Sequence, residues 1–294
     1  ALHAAAERAA PEARFDRVEL NLEPGRAVVF FASPRTTASL DYDEIALDPY
    51  TGREVYRGTW GDITAGWHQL MPFIFRLHYT FALGDTGRIA FGIAALVWTI
   101  DCFVSFLLTL PHTSQRWWRR WVQAWRLRAP ATGSYKFTFD LHRASGLWLW
   151  PMLLVFAWSS VGFNLTPVYE PVMKWFGMND PREMLPENPA PGNVRHDWAT
   201  LLAHGRALAN AIGTKERFHV VAEDGLSYRA TLDAYEYRFA ASDDVSHHRP
   251  QSRLYIDRAS GQVLAIKRGL GRADANGIHE WIMSLHIASI GGVW

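Results

Sequence analysis

Cysteine is almost missing: Cys102 is the single thiol in 294 residues. One thiol excludes an internal disulfide framework and any Cys-ligated metal or iron–sulfur centre within the chain. Net charge is equally scant. Thirty basic side chains stand against 29 acidic ones, for a formal +1, so there is no bulk electrostatic case for nucleic acid. Nucleotide and hydrolase signatures are absent too: no GxGxxG, GxxxxGK[ST], HExxH or GxSxG occurs. "HEWIMSLH" begins with His-Glu, but its next His stands seven residues on, where a zincin needs four. Any redox chemistry would therefore draw its electrons from another protein, a quinol or a soluble flavin carrier.

Charge is missing above all from two runs. Residues 89–110, "IAFGIAALVWTIDCFVSFLLTL", carry one charged side chain, Asp101, and residues 144–165, "ASGLWLWPMLLVFAWSSVGFNL", carry none. A bilayer core of about 30 Å needs about 20 apolar residues in a helix. Both runs qualify, and both are too long and too internal for a signal peptide. The mean hydropathy of −0.10 hides them by averaging. Tryptophan is plentiful instead, 14 in all. Trp117, Trp118, Trp148 and Trp175 sit at the edges of the runs, where interfacial anchors belong.

Between the runs lies a basic stretch with Arg116, Arg119, Arg120, Arg126, Arg128, Lys136 and Arg143 against one acid, Asp140. The positive-inside rule makes it cytoplasmic, so residues 1–87 and 166–277 face the other side. "QRWWRRWVQAW" is basic and aromatic, and beside a span it suits anionic lipid headgroups better than nucleic acid; a cytoplasmic electron donor could dock there too.

The outer segments repeat each other. Residues 45–58, "IALDPYTGREVYRG", and 254–269, "LYIDRASGQVLAIKRG", share an apolar run, Asp, two residues, Ser/Thr-Gly, then polar residues and Val. That is strand–turn–strand chemistry, with Asp and Gly setting the turn. An Ala-rich helical piece precedes each copy at a distance: "LHAAAERAA" and "WATLLAHGRALANAI". Between helix and hairpin, the second copy adds further strands around Asp224 and Gly225. A repeated α+β module is the simplest reading.

With "LDPYTG", "DLHRASGLW" and "HEWIMSLH" in this order, the chain resembles the PepSY-associated transmembrane family of bacterial inner-membrane proteins over nearly its whole length. That family includes haem-binding ferric-siderophore reductases. The resemblance implies an α+β membrane protein: a four-helix transmembrane bundle carrying two extracytoplasmic PepSY-like modules. The expected division is a first module over 1–66, an interfacial helix and span over 67–111, and a basic cytoplasmic loop over 112–140. A second span follows over 141–165, a second module over 166–277, and the start of a last span over 278–294. The chain opens at Ala1 without a Met and stops inside the apolar run "IMSLHIASIGGVW". The expectation is a piece lacking the family's first helix and most of its fourth.

Three of the 12 histidines share a context: His78 in "RLHYTFALGDTGR", His142 in "DLHRASG" and His286 in "SLHIASIGG". Each follows Leu and precedes Gly. Imidazole is a good axial ligand for haem iron, and a nearby glycine lets a flat macrocycle approach the helix. Glycine also serves plain helix packing in membranes, and a histidine at a helix start can simply bond water or a phosphate. Ionisable groups at membrane depth lean functional. Chain direction puts His78 and His286 at the outer depth and His142 at the inner one. His78 and His286 can thus share a haem, and His142 cannot join them across about 30 Å. The resemblance implies two b-type haems in the full-length protein, with His142 paired to a histidine of the absent first helix.

Other candidates rank lower. His279 stands seven residues before His286 on nearly the same helix face, and His68 stands ten before His78; either could line the outer cavity or sit on a surface. His112 shares the depth of His142 and is a fallback partner. His247 and His248 occupy a polar loop, "ASDDVSHHRP", which suits solvent better than a metal. Asp101 could orient a ligand histidine from behind, or bond Ser159 or Ser160 of a neighbouring helix. The expected function is haem-dependent electron transfer across the inner membrane to an extracytoplasmic acceptor, by resemblance a ferric siderophore. The alternatives are a membrane-anchored PepSY regulator of a peptidase and an accessory subunit of a transporter.

Overall fold

The computed structural model describes residues 1–36, 39–112, 115–127, 134–180, 185, 197–247 and 249–290. Helix and sheet are mixed, and the chain divides into two compact units. One joins Ala1–Leu77 with Lys174–Trp294; the other is His78–Met173.

The first unit opens with α1 (Leu2–Ala9), followed by β1 (Ala13–Arg14), β2 (Arg17–Glu19), β3 (Val28–Phe31), β4 (Ser33–Pro34), β5 (Glu44–Leu47) and β6 (Glu54–Gly58). Strands β3, β5 and β6 form an antiparallel sheet in the order β3-β5-β6, and β1 pairs β4. Alternation decides which side is core. Val28 and Phe30 of β3 and Ile45 and Leu47 of β5 point to α1 and bury with Ala6, Ala10 and Phe15. Helix α2 (Leu70–Thr80) and helix α6 (Thr166–Trp175) run across the division between units.

The returning chain repeats the theme on a larger scale. It forms α7 (Trp198–Glu216), β7 (Val220–Arg229), β8 (Ala234–Ala241), β9 (Ser252–Asp257), β10 (Val263–Lys267) and α8 (Ala275–His286). The sheet order is β10-β9-β8-β7-β2, antiparallel throughout. Leu226, Tyr228, Tyr235, Tyr237, Phe239, Leu254 and Ile256 share one face and pack with Ala209 of α7. Asp197 caps α7 through the Thr200 amide at 3.4 Å, and Asp274 caps α8 through Gly277 at 2.7 Å. The edge strand β2 comes from the first segment, so one sheet stitches the two outer segments together. His3 adds to that seam, with its ring 5.0 Å from Trp198 and its Nε2 2.8 Å from the Phe15 carbonyl.

The repeat is literal at the turns. Asp48 Oδ1 accepts from the Thr51 amide at 2.7 Å and hydroxyl at 2.9 Å, and Gly52 follows at φ +68°. Asp257 Oδ1 accepts from the Ser260 amide and hydroxyl at 2.6 Å each, and Gly261 follows at φ +69°. Each glycine amide then donates to the Asp carbonyl, at 2.9 and 3.0 Å. A positive φ at that place favours glycine.

The second unit is built on α3 (Gly84–Leu108), α4 (Trp117–Ala124) and α5 (Ser134–Asn164). Among the described residues α3 and α5 are the two helices long and apolar enough to cross a membrane. They pack through a stripe of small buried residues on α3: Gly92, Ala95, Thr99 and Cys102. A Cβ on Gly92 would lie 2.4 Å from Leu165, so glycine is what lets the helices close. Trp150 Nε1 donates to the Cys102 carbonyl at 2.8 Å and ties the pair further down. Pro151 lies inside α5. The opposite faces expose Ile93, Val97, Phe103, Leu107, Leu149 and Met152, as a lipid-facing surface would.

Candidate functional site

His142 lies in the third turn of α5 with its side chain exposed. Gly146 stands one turn on, on the same face, and a Cβ built there meets nothing within 4 Å. Imidazole beside an open glycine on an apolar helix fits a flat iron macrocycle by donor chemistry and by room. Just before it, Asp140 is buried and accepts from Arg143 at 2.8 Å. Arg143 also donates to the carbonyls of Ala124 at 3.3 Å and Gln123 at 3.4 Å, which caps the end of α4. Trp148 Nε1 donates to the Trp125 carbonyl at 3.1 Å. The histidine's helix turn is thus fixed by its neighbours. The sequence signal for this latch is the three-residue spacing of Asp140 and Arg143.

His78 is exposed in the last turn of α2, not on the span itself. The chain turns between the helices through Phe81 at φ +52°, Ala82 at +58° and Gly84 at +61°. The glycines of this motif serve the turn. A Cβ on Gly87 would stand 1.7 Å from the Thr80 carbonyl oxygen, so the close backbone crossing accounts for that glycine without a ligand.

His286 closes α8, partly buried, with Ala288 at φ +52° and the Ser289 amide on the Ser284 carbonyl at 3.0 Å. This is a Schellman-type stop. The span expected from 278 is therefore seen as a 12-residue helix, and Gly291 and Gly292 lie outside the described residues. His279, seven residues earlier, is partly buried, and the buried Met283 lies between the two on the same side. His286 belongs to one compact unit and His78 to the other.

His68 is exposed, its ring centroid 4.4 Å from that of Tyr56. His112 is exposed just past α3, and His247 is exposed in its loop; His248 lies outside the described residues. Asp101 sits on the exposed face of α3. Of the two alternatives for Asp101, a bond to Ser159 or Ser160 is not seen among the described residues: Ser159 donates to the Val155 carbonyl and Ser160 to the Phe156 carbonyl, both on their own helix. A serine hydroxyl in an apolar helix satisfies itself four residues back. Among the described residues no three His, Cys, Asp or Glu side chains gather as a metal site.

No curated protein matches the chain. The family model described as "PepSY-associated TM region" matches residues 1–294. With two membrane-length helices and that match from end to end, the chain is a membrane protein and belongs to the PepSY-associated transmembrane family.

Proposed function

We propose that this chain is an inner-membrane, haem-dependent reductase that passes electrons to an extracytoplasmic acceptor. The observation that carries the reading is His142 beside the open face of Gly146 on a span. Bound b-type haem, two in the full-length protein, would supply one-electron Fe(III)/Fe(II) chemistry. His142 would hold the inner haem, and His78 and His286 the outer one. His279, His68 and His112 are reserve ligands. Asp101, on the exposed face of α3, would meet a further helix of a four-helix bundle and orient a ligand there.

The outer α+β segments are read as two periplasmic PepSY-like modules that seat the acceptor. The acceptor proposed is a ferric siderophore, since one electron weakens a hard-oxygen chelate and frees the iron. The donor would be a quinol, a flavin carrier or a reductase. Arg119 and Arg120 of α4, both exposed, would rest on anionic headgroups.

Full-length protein expressed with ample haem should show a Soret band and sharp α and β bands on dithionite reduction. Their absence sinks the reading. His78→Ala and His286→Ala should each remove the outer haem and leave the inner one, halving the haem-to-protein ratio. Retention of both haems in either variant overturns the pairing.

A further inference from the structure

The sheet of the first unit has a second face, opposite α7, and it is crowded with charge. Lys267 is paired in register with Arg253, and Arg253 with Arg238, on three neighbouring strands. Residues paired in this way point to the same side, and like charges set directly opposite repel. Their flanking residues Ile266, Leu254, Tyr237 and Phe239 pack toward α7, which fixes the three cations on the other side.

Two of the three are answered. Lys267 Nζ lies 3.2 Å from Glu280 of α8. Arg238 donates to Glu236 at 2.9 Å and reaches Asp224 at 3.4 Å. Glu236 is already occupied on both oxygens by Arg229, at 2.9 and 3.0 Å. Arg17 completes the row against Glu19 and against Asp224, the latter at 2.8 Å, and lies over Gly225, where a Cβ would stand 2.9 Å from the Val18 carbonyl oxygen and 3.1 Å from the Arg17 guanidinium. Among the described residues Arg253 makes no ion pair or hydrogen bond to a carboxylate, and Glu236 and Glu280 act on it only as neighbouring charges. The Arg253 Nε and that of Arg238 are buried without a hydrogen-bond partner among the described residues. Burying guanidinium donors unpaired is costly.

The internal repeat makes the vacancy specific. Arg253 stands four residues before the turn aspartate Asp257, as Glu44 stands four before Asp48. In the first hairpin that place is closed: Gln69 Nε2 donates to the buried Glu44 at 2.5 Å. In the second the place holds a cation whose Nε has no hydrogen-bond partner among the described residues. The row is also reachable, since the Arg238 and Lys267 side chains remain 23% and 19% exposed.

We propose that Arg253, with Arg238 and Lys267 beside it, forms a binding site for a small oxyanion, a carboxylate or phosphate group, on the sheet face opposite α7. Guanidinium forks suit such groups by geometry as well as charge. The site is independent of haem ligation and is tested apart from it.

The purified full chain in detergent is titrated with citrate or inorganic phosphate against chloride at matched ionic strength, and its thermal midpoint is followed. The midpoint should rise in a saturable way with one of the two, and the better probe tells carboxylate from phosphate. Arg253→Gln should raise the half-saturating concentration at least tenfold, whereas Arg206→Gln, on the α7 side, should leave it unchanged. Should Arg253→Gln fail to fold, phenylglyoxal labelling of the unsubstituted protein answers instead: the peptide carrying Arg253 should be labelled in chloride and protected by the anion. No midpoint shift with either anion, an undiminished shift in Arg253→Gln, or labelling that the anion leaves untouched each overturns the proposal.

Discussion

Glu236 is a buried carboxylate that stays charged against its surroundings. Burial alone would raise its pKa, but the Arg229 hydrogen bonds and the charges of Arg229, Arg253 and Arg238 outweigh it and pull the value down to about 2. A depressed folded-state pKa gives stability that is present above the ordinary value and lost as pH falls toward the folded one. The acid limb of stability should therefore fall between pH about 4.5 and about 2. At about 1.4 kcal/mol per unit the shift is worth about 3 kcal/mol. Glu236→Gln should cost about that much at neutral pH, because it removes the charge that Arg229 and Arg238 bond, and should flatten the acid limb. Thermal melts of the detergent-solubilised protein at stepped pH check both; an unchanged acid limb in the variant sinks the account. Glu280 works the other way, since burial raises its pKa despite Lys267. At this scale the sequence does not carry the settings of its histidines and glycines. Gly87 and Gly146 look alike as letters, yet one is spent on a backbone crossing and the other faces open space. That difference depends on where Thr80 arrives, which periodicity does not encode.

The hairpins are where sequence and structure agree most closely, because their chemistry is local. Asp, Ser/Thr and Gly within five residues satisfy one another's hydrogen bonds whatever the rest of the chain does. Asp48 and Asp257 are both held below the usual carboxylate range, first by hydrogen bonds from Thr51 and from Ser260. Gly52→Ala and Gly261→Ala place a side chain at φ near +70° and should each lower stability by about 1 kcal/mol. Both new side chains would also be crowded alike, the Gly52 Cβ standing 3.3 Å from Ala5 Cβ and the Gly261 Cβ 3.3 Å from the ring of His204, whose Nε2 bonds the Gly261 carbonyl at 2.8 Å. Thermal unfolding of the two variants side by side checks this; an unchanged midpoint in either variant argues that its turn does not direct the fold. Helix ends were less legible. "DLHRASGLWLW" reads as the start of a span, but α5 is already helical from Ser134, because its polar first turns carry no residue that stops a helix. The reverse happens at His286, where Ala288 takes a left-handed conformation that nothing in "HIAS" announces.

At the scale of the molecule, the apolar runs announced the two spans because length and lack of charge suffice. The stitching of the outer unit could not be read in advance. Strand β2 is three residues long, far in sequence from β7, and too short to carry a period of its own. Its pairing of Arg17 with Ser227 and Glu19 with Gly225 is secured by Arg17 reaching Asp224, a contact between residues 207 apart. One consequence is cooperative. If β2 is integral to the larger sheet, the segments before and after the spans cannot open separately. Amide exchange in the detergent-solubilised protein should then give β5 and β9 opening free energies within about 1 kcal/mol of each other. Arg17→Ala should lower both together, although the substitution touches only one sheet. Should β9 keep its protection while β5 loses its own, the two outer segments are separate folding units and β2 is only a surface attachment.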